Sequence, residues 1–357
     1  MGLWSWITGK RTQGSTALRA CSCGESGGPK SADDGAVAVL EPPEAAVPAA
    51  QEDVVEKWWA PEGETLTEPL EVERPELTAD ARALENLLIS HFDGHDLTLP
   101  PLLQVAERVL PRLGDPDCAL ATVANELAKD QVIAAAVLRM ANSPLYRGLN
   151  KIAALQPAVS RLGTRAIRML LMHESLRAAM FVCKGYGREL ARMIWCRSLA
   201  SACIMRGLSD FTKIDRENAF LIGLLHDIGD VVVLRIVHGE HVRPRYEIDG
   251  DSFEYLCYEC HQEFGELVAE AWGLPTELKV IMADHHTYPP PDDPLRMQRL
   301  QLQLTNMINA LLGYTPFAPY DLLASPVVHE LGLADRDDFV AFLERLPDQV
   351  DETVGAL

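Results

Sequence analysis

The sequence predicts an all-α protein, because helical periodicity recurs along most of the chain while strand-like alternation never persists. The first periodic segment begins near Leu77, and proline, glycine or asparagine ends most of the segments after it. The predicted helices include 102–113, 119–129, 132–141, 156–162 and 165–180. The run Val231–Leu234 is a candidate strand, but it lies between helical segments and has no evident partner.

Composition divides the chain into three parts. Residues 1–75 are rich in Ala, Gly, Pro, Glu and Ser and show no sustained period, so we expect a disordered, acidic, low-complexity extension. The helical pattern predicts a domain over residues 76–313. Two further helical stretches predict a continuation over residues 314–357 that packs on this domain.

The charge of the chain is unevenly distributed. The net charge is −20, yet residues 131–209 hold 12 Lys or Arg and only 2 Asp or Glu. Residues 1–96, in contrast, hold 7 Lys or Arg and 18 Asp or Glu. The overall charge argues against tight non-specific binding of nucleic acid, which needs many phosphate contacts. The basic segment is either a solvated face or a surface for an acidic partner, a nucleotide or the chain's own acidic extension. Its candidate anion-binding or partner-binding residues are Arg161, Arg165, Arg168, Arg188 and Arg192.

The sequence also predicts a cytoplasmic location. No run approaches the ~18 apolar residues of a membrane span, and the N-terminus lacks the apolar core of a signal peptide. The eight cysteines are then expected to be reduced thiols. The sequence gives no signal for the oligomeric state.

A run of apolar residues over 220–225 ends abruptly in His226-Asp227. Adjacent side chains do not share a helix face, so such a pair is expected at a helix end, and Gly229 is expected to let the backbone turn there. An imidazole and a carboxylate in one pocket are natural ligands for a divalent metal. The alternative is a helix end with one buried, hydrogen-bonded histidine.

An ordered series of short motifs resembles the HDOD domain, the HD-related output domain of bacterial signalling proteins. The resemblance covers roughly residues 97–313 and implies an α-helical domain related to the HD phosphohydrolases, with a role in signal transduction. The motifs begin at Leu99 (LPPLL), Gly114 (GDPD), Met140 (MANSPLY), Ala158 (AVSRLG), Trp195 (WCRSLA), Gly223 (GLLHDIG), Ala271 (AWGLP) and His285 (HH).

In HD phosphohydrolases the metal ligands occur in the order His, His-Asp, further His residues and a final Asp. The resemblance places the first position at Arg197 and the final one at Asn306, with Asn309 as second choice. Arginine cannot ligate a metal and asparagine lacks the charge, so both positions are degenerate. The residues that remain as metal ligands are His226, Asp227, His261, His285 and His286.

Three interpretations of this residual set stay open. The set binds one divalent metal (zinc, iron or manganese), or its histidines are relics held by hydrogen bonds and no cofactor binds. In the third, Arg197 pairs with Asp227 and replaces the metal by a salt bridge. The neighbouring run from Cys257 to Cys260 and His261 matches the C-x-x-C-H haem pattern, but core packing of the thiols is favoured over haem, zinc or redox chemistry.

The sequence therefore predicts a non-catalytic regulatory module that binds a protein partner or a small anionic ligand. The alternative is a metal-dependent HD-type phosphohydrolase that acts on a nucleotide or a phosphodiester. Stoichiometric metal and turnover of a phosphodiester would distinguish the second from the first.

Overall fold

The computed structural model describes residues 74–93, 99–115, 118–143, 146, 148, 150–180, 185–238, 247–315 and 321–355. These residues form helices and no strand, so the all-α prediction is confirmed. The predicted extension over 1–75 lies outside the described residues except for its last two positions. The helices are α1 (Ala79–Asp93), α2 (Gln104–Leu113), α3 (Leu120–Leu127), α4 (Gln131–Ala141), α5 (Leu155–Met180), α6 (Tyr186–Thr212), α7 (Arg216–Leu225), α8 (Gly229–His238), α9 (Gly250–Ala271), α10 (Thr276–Ala283), α11 (Arg296–Leu311), α12 (Pro326–Glu330) and α13 (Asp337–Gly355).

Local sequence signals explain several helix boundaries. Asp130 accepts hydrogen bonds from the first amides of α4, and Asp215 and Asp249 do the same for α7 and α9. Gly163 interrupts α5 with a φ of 75°, where glycine adopts the left-handed region without steric cost. The prediction that one helix ends and another begins at this glycine therefore agrees with the structure.

The segment Val231–Leu234 is helical, so its interpretation as a strand is wrong. It belongs to α8, and all four of its residues are buried. A helix that is covered on every side needs no polar face, and a short run of buried apolar residues cannot be told from a strand by periodicity. Helix α8 packs against α6 and α9, which places its first turn beside the His-Asp pair.

Helix α6 forms the centre of the fold. It packs against α7, α8, α11 and α13, and most of its length is buried. The aromatic side chains Phe339 and Phe342 of α13 pack on Phe211 of α6, with ring centroids 5.6 and 5.4 Å apart. Residues of α13 thus share one core with the central helix. None of the described helices is long and apolar enough to cross a membrane.

Candidate functional site

The His226-Asp227 pair lies where α7 ends, as its sequence predicts. Helix α7 ends at Leu225, and His226 is its C-cap. Gly223 brings α7 close to α6, because a Cβ at this position would lie 2.5 Å from the carbonyl oxygen of Ser201. Only glycine at position 223 therefore lets α6 and α7 pack this closely. This close packing fixes the position of the His226-Asp227 pair.

Gly229 has a different role from the predicted turn. It is the first residue of α8, and its φ is not among the positive values. A Cβ on Gly229 would lie 2.5 Å from the Cα of His261 and closer still to its carbonyl oxygen. The missing side chain therefore lets α8 contact the backbone of α9 directly, next to His261.

Five histidine and aspartate side chains from separate parts of the chain meet in one cluster. His261 comes from α9, and His285 and His286 follow α10. The Nε2 atom of His261 lies 3.1 Å from Nε2 of His285 and 2.9 Å from Nε2 of His286. Asp227 Oδ1 lies 3.3 Å from Nε2 of His285 and 3.7 Å from Nε2 of His261. With His226, these are the five residues that the sequence predicts as metal ligands.

The backbone fixes the orientation of three of the rings. The Nδ1 atoms of His226, His261 and His285 lie 3.0, 2.9 and 3.3 Å from the carbonyl oxygens of Gly223, Cys257 and Met282. A carbonyl oxygen only accepts hydrogen bonds, so each Nδ1 carries a proton and each ring turns its Nε2 atom toward the cluster. Facing lone pairs repel unless a proton or a metal ion lies between them.

The charge states of His285, His286 and Asp227 suit a metal ion. Burial and neighbouring histidines lower the pKa of His285 to about 4 and that of His286 to about 2, so both rings are neutral at pH 7. Burial alone would raise the pKa of Asp227, but His226, His285 and Arg197 hold it well below its usual value. Neutral imidazoles and an ionised carboxylate are the forms that bind metals.

Asp227 is also the partner of His226. The buried Nε2 atom of His226 lies 3.2 Å from Asp227 Oδ2, and although burial would lower the pKa of His226, Asp227 raises it. Donor atoms of His261, His285 and His286 lie within 4.8 Å of one another, as do those of His226, Asp227 and His285. These residues fit a divalent metal, because imidazole and carboxylate donors suit zinc, iron or manganese.

Arg197 borders the cluster on the side of Asp227 that faces away from His285. Its guanidinium donates to Asp230, and its Nε lies 3.5 Å from Asp227 Oδ2. Burial would lower the pKa of Arg197, but the carboxylates of Asp230 and Asp227 outweigh burial and raise it. The predicted pairing with Asp227 is therefore the weaker contact, and the principal partner is Asp230, which the sequence analysis missed. An aspartate in the buried first turn of α8 needs a cation, and that signal points to it.

A family model for the HDOD domain matches residues 99–288 of the chain. This chain belongs to the HDOD domain family. The HDOD residues share their fold with three solved structures. A candidate metal-dependent phosphohydrolase from Shewanella amazonensis is 19% identical (TM-score 0.61; 76% of this chain, 100% of that one). An HDOD domain protein of unknown function from Geobacter sulfurreducens is 24% identical (TM-score 0.57; 77% and 97%). A candidate signal transduction protein from Marinobacter aquaeolei is 23% identical (TM-score 0.51; 78% and 65%).

A curated relative of this HDOD protein is an uncharacterized protein of Treponema pallidum. The two sequences are 24% identical over 239 residues, which is 61% of this chain and 43% of the relative. The chain therefore spans less than half the length of this relative. At these identities the solved structures show the fold of the HDOD domain and not its activity.

Helix α11 of the HDOD domain reaches the cluster through a residue that the sequence analysis did not single out. Gln303 Nε2 donates to the carbonyl oxygen of Thr287, directly after His286. Asn309 is buried and donates to Ser201 Oγ at 2.7 Å on α6. Asn306 lies half-buried on the same helix, and its assignment to the final ligand position stays a prediction.

The two cysteines of the C-x-x-C-H pattern are buried free thiols. Burial raises the pKa of Cys260 to about 12 and that of Cys257 well above its usual value, so both thiols are protonated. The contact of Cys257 with the cluster is its backbone carbonyl, which accepts from His261. These surroundings agree with core packing, because reactive or metal-binding thiols are thiolates.

The predicted basic residues do not form one unpaired face. Arg161 donates to the backbone carbonyls of Ala141 and Asn150, and Arg165 pairs with Asp215 at 2.5 Å. Arg168 is half-buried, and burial lowers its pKa. Arg188 and Arg192 are exposed near the start of α6. The kink at Gly163 also separates Arg161 from Arg165 and Arg168, so the three do not share a continuous helix.

An open groove of about 620 Å³ lies beside α4. Asn142 builds its wall, because its side chain accepts from the amide of Ile152 and donates to the carbonyl of the same residue. Arg139 and Lys151 line the groove and are exposed, and neither has a carboxylate partner among the described residues. The groove therefore offers two cations to a ligand or partner.

Proposed function

We propose that this chain is a non-catalytic signal-transduction module whose HDOD domain holds one divalent metal as a fixed element and binds a partner through a basic groove. The observation that carries the metal is the presence of two groups of three donor residues that share His285, namely His261, His285 and His286, and His226, Asp227 and His285. In the first group, the Nε2 atoms of His285 and His286 lie 3.1 and 2.9 Å from Nε2 of His261. Imidazole and carboxylate donors suit zinc, iron or manganese.

Arg197 supports the non-catalytic part of the proposal. A second metal would need anionic ligands on the far side of Asp227, where the guanidinium binds Asp230 and approaches Asp227 Oδ2. A fixed positive charge there repels a second cation and uses the carboxylates that would bind it. We therefore expect one metal ion per chain and no hydrolysis.

The second candidate function is a metal-dependent phosphohydrolase that acts on a nucleotide or phosphodiester. The exposure of the cluster favours it, because Asp227 and His286 are only half-buried and are open to a ligand. The name of the Shewanella amazonensis neighbour points to the same chemistry. When bound, a metal would act as a Lewis acid toward a phosphoryl oxygen.

Turnover distinguishes the two functions. The full-length protein, loaded with Zn²⁺, Fe²⁺ or Mn²⁺, is incubated with bis-p-nitrophenyl phosphate and with cyclic dinucleotides. We expect no release of product above that of the metal-free protein. Hydrolysis by the loaded wild type that disappears in His261→Ala would make the chain a phosphohydrolase.

The partner that the groove fits is the acidic segment over residues 41–73 of the same chain. This segment has ten Asp or Glu residues and one Lys, and it directly precedes the described residues. Its 33 residues can extend about 100 Å, so it can reach any face of one domain. Linkage in one chain gives a high effective concentration, and salt weakens attraction between exposed charges.

Chemical labelling of Lys151 tests this partner. In the full-length protein at low salt, we expect the amine of Lys151 to react with an acylating reagent several-fold more slowly than that of exposed Lys213. Either 0.5 M NaCl or replacement of the ten acidic residues by Asn and Gln should abolish the difference. An unchanged rate at Lys151 under both conditions would contradict docking of the segment.

A further inference from the structure

His285 and His286 are consecutive residues whose rings reach the same atom. Their Nε2 atoms lie 3.1 and 2.9 Å from Nε2 of His261, and their ring centroids are 4.4 Å apart. Adjacent side chains normally diverge, so two neighbouring rings converge only where the backbone between them is held in a particular conformation. Helix α10 ends at Ala283, and its C-cap Asp284, directly before the pair, has φ −154° and ψ 66°. The helix itself therefore does not impose this conformation.

Helix α9 binds the backbone N–H groups of His285 and His286. With its amide oriented to satisfy both contacts, the side-chain oxygen of Gln262 accepts from the backbone N–H groups of His285 at 3.1 Å and His286 at 3.3 Å. Gln262 directly follows His261, a member of the same cluster. One helix thus contributes both a donor atom to the cluster and the acceptor that fixes two other members.

Helix α11 binds the backbone carbonyl group of Thr287, the residue that follows the pair. Gln303 Nε2 donates to the carbonyl oxygen of Thr287 at 3.1 Å, and Arg299 Nη2 donates to the same oxygen at 3.2 Å. The Arg299 side chain is 7% exposed and forms ion pairs with Asp284 at 2.8 Å and Asp293 at 2.7 Å. The segment from Asp284 to Thr287 is therefore fixed from both α9 and α11.

We propose that Gln262, Gln303 and Arg299 are positioning residues that aim the two adjacent rings at one metal ion. The proposal rests on the metal site proposed above. Gln262 has the most direct role, because its oxygen bonds both amides of the pair. Groups that orient metal ligands typically change metal affinity 10- to 100-fold when they are removed.

Zinc affinity of the full-length protein, measured by chelator competition with Zn²⁺ as the probe, tests the proposal. Gln262→Ala should weaken binding by about 10- to 100-fold. Gln262→Glu keeps an acceptor oxygen at the same reach and should bind within about threefold of the wild type. Glu259→Ala, an exposed position one turn earlier on α9, is the matched control and should leave the affinity unchanged.

Hydrogen exchange in the metal-free protein separates this proposal from the metal site. The amides of His285 and His286 should be protected in the wild type and in Gln262→Glu, and should exchange faster in Gln262→Ala. A wild type that binds no Zn²⁺ would overturn the metal site. Undiminished protection of the two amides in Gln262→Ala would overturn the positioning role, whatever the metal content.

Discussion

Replacing Arg197 with methionine should lower the free energy of unfolding of the metal-free protein by about 3–5 kcal/mol at pH 7, because it leaves buried carboxylates without their cation. The side chain of Asp230 is 3% exposed, and Asp227 is 16% exposed. Methionine fills much of the space of the arginine stem but carries no charge. Urea denaturation in the presence of a chelator measures the loss.

Two further variants identify the cause of this loss. Asp230→Asn in the Arg197→Met background removes the uncompensated charge and should restore most of the stability. Arg165→Met is the matched control, because Arg165 is 72% exposed in its pair with Asp215. Breaking an exposed ion pair costs about 1 kcal/mol or less. A loss below 1 kcal/mol in Arg197→Met itself would contradict the assigned role of the guanidinium.

Gly229→Ala should destabilise the protein by about 3 kcal/mol, because the added methyl group overlaps the backbone of α9. The atoms it meets are Cα and the carbonyl carbon and oxygen of His261, and a backbone cannot rotate away as a side chain can. Helices α8 and α9 must move apart, which displaces His261 from the cluster. We therefore expect a weaker affinity for Zn²⁺ as well as the lower stability, both measured on the full-length protein.

Gly265→Ala is the matched control for this change. Gly265 lies on α9 as well, but a Cβ there would lie 3.7 Å from Met282, which is ordinary contact. Alanine is favoured over glycine inside a helix by up to about 1 kcal/mol, so this variant should be at least as stable as the wild type. Equal stability of Gly229→Ala and Gly265→Ala would show that the close contact of α8 and α9 is not required.

Local signals were sufficient to predict most of the helices. Proline, glycine and asparagine end a helix through their own backbone properties, so positions such as Gly163 can be recognised from the sequence. The run Val231–Leu234 could not be assigned, since its all-apolar composition reflects burial by α6 and α9 rather than a period of its own. The function of Gly229 was misjudged for the same reason, because it depends on a helix that begins 21 residues later, at Gly250.

The candidate site likewise contains residues that the sequence could identify and residues that it could not. The motif series identified His226, Asp227, His285 and His286, because each lies in a short recognisable stretch, and the ligand order that the resemblance implies added His261. The residues that hold them carry no local signal. Asp230 is recognisable only beside Arg197, 33 positions earlier, and Gln303 only beside Thr287, 16 positions earlier. Contacts between distant helices create these roles, so periodicity and motif spacing cannot reveal them.

Elemental analysis of the purified, untagged full-length protein tests the central claim most directly. We expect about one zinc, iron or manganese ion per chain in the wild type, because the donor atoms of His261, His285 and His286 lie within 4.8 Å of one another and Asp227 contacts His285. The ion should be absent from His261→Ala and retained in His329→Ala, a control at an exposed histidine on α12. A wild type without metal, or equal metal in His261→Ala and the wild type, would contradict the proposed site.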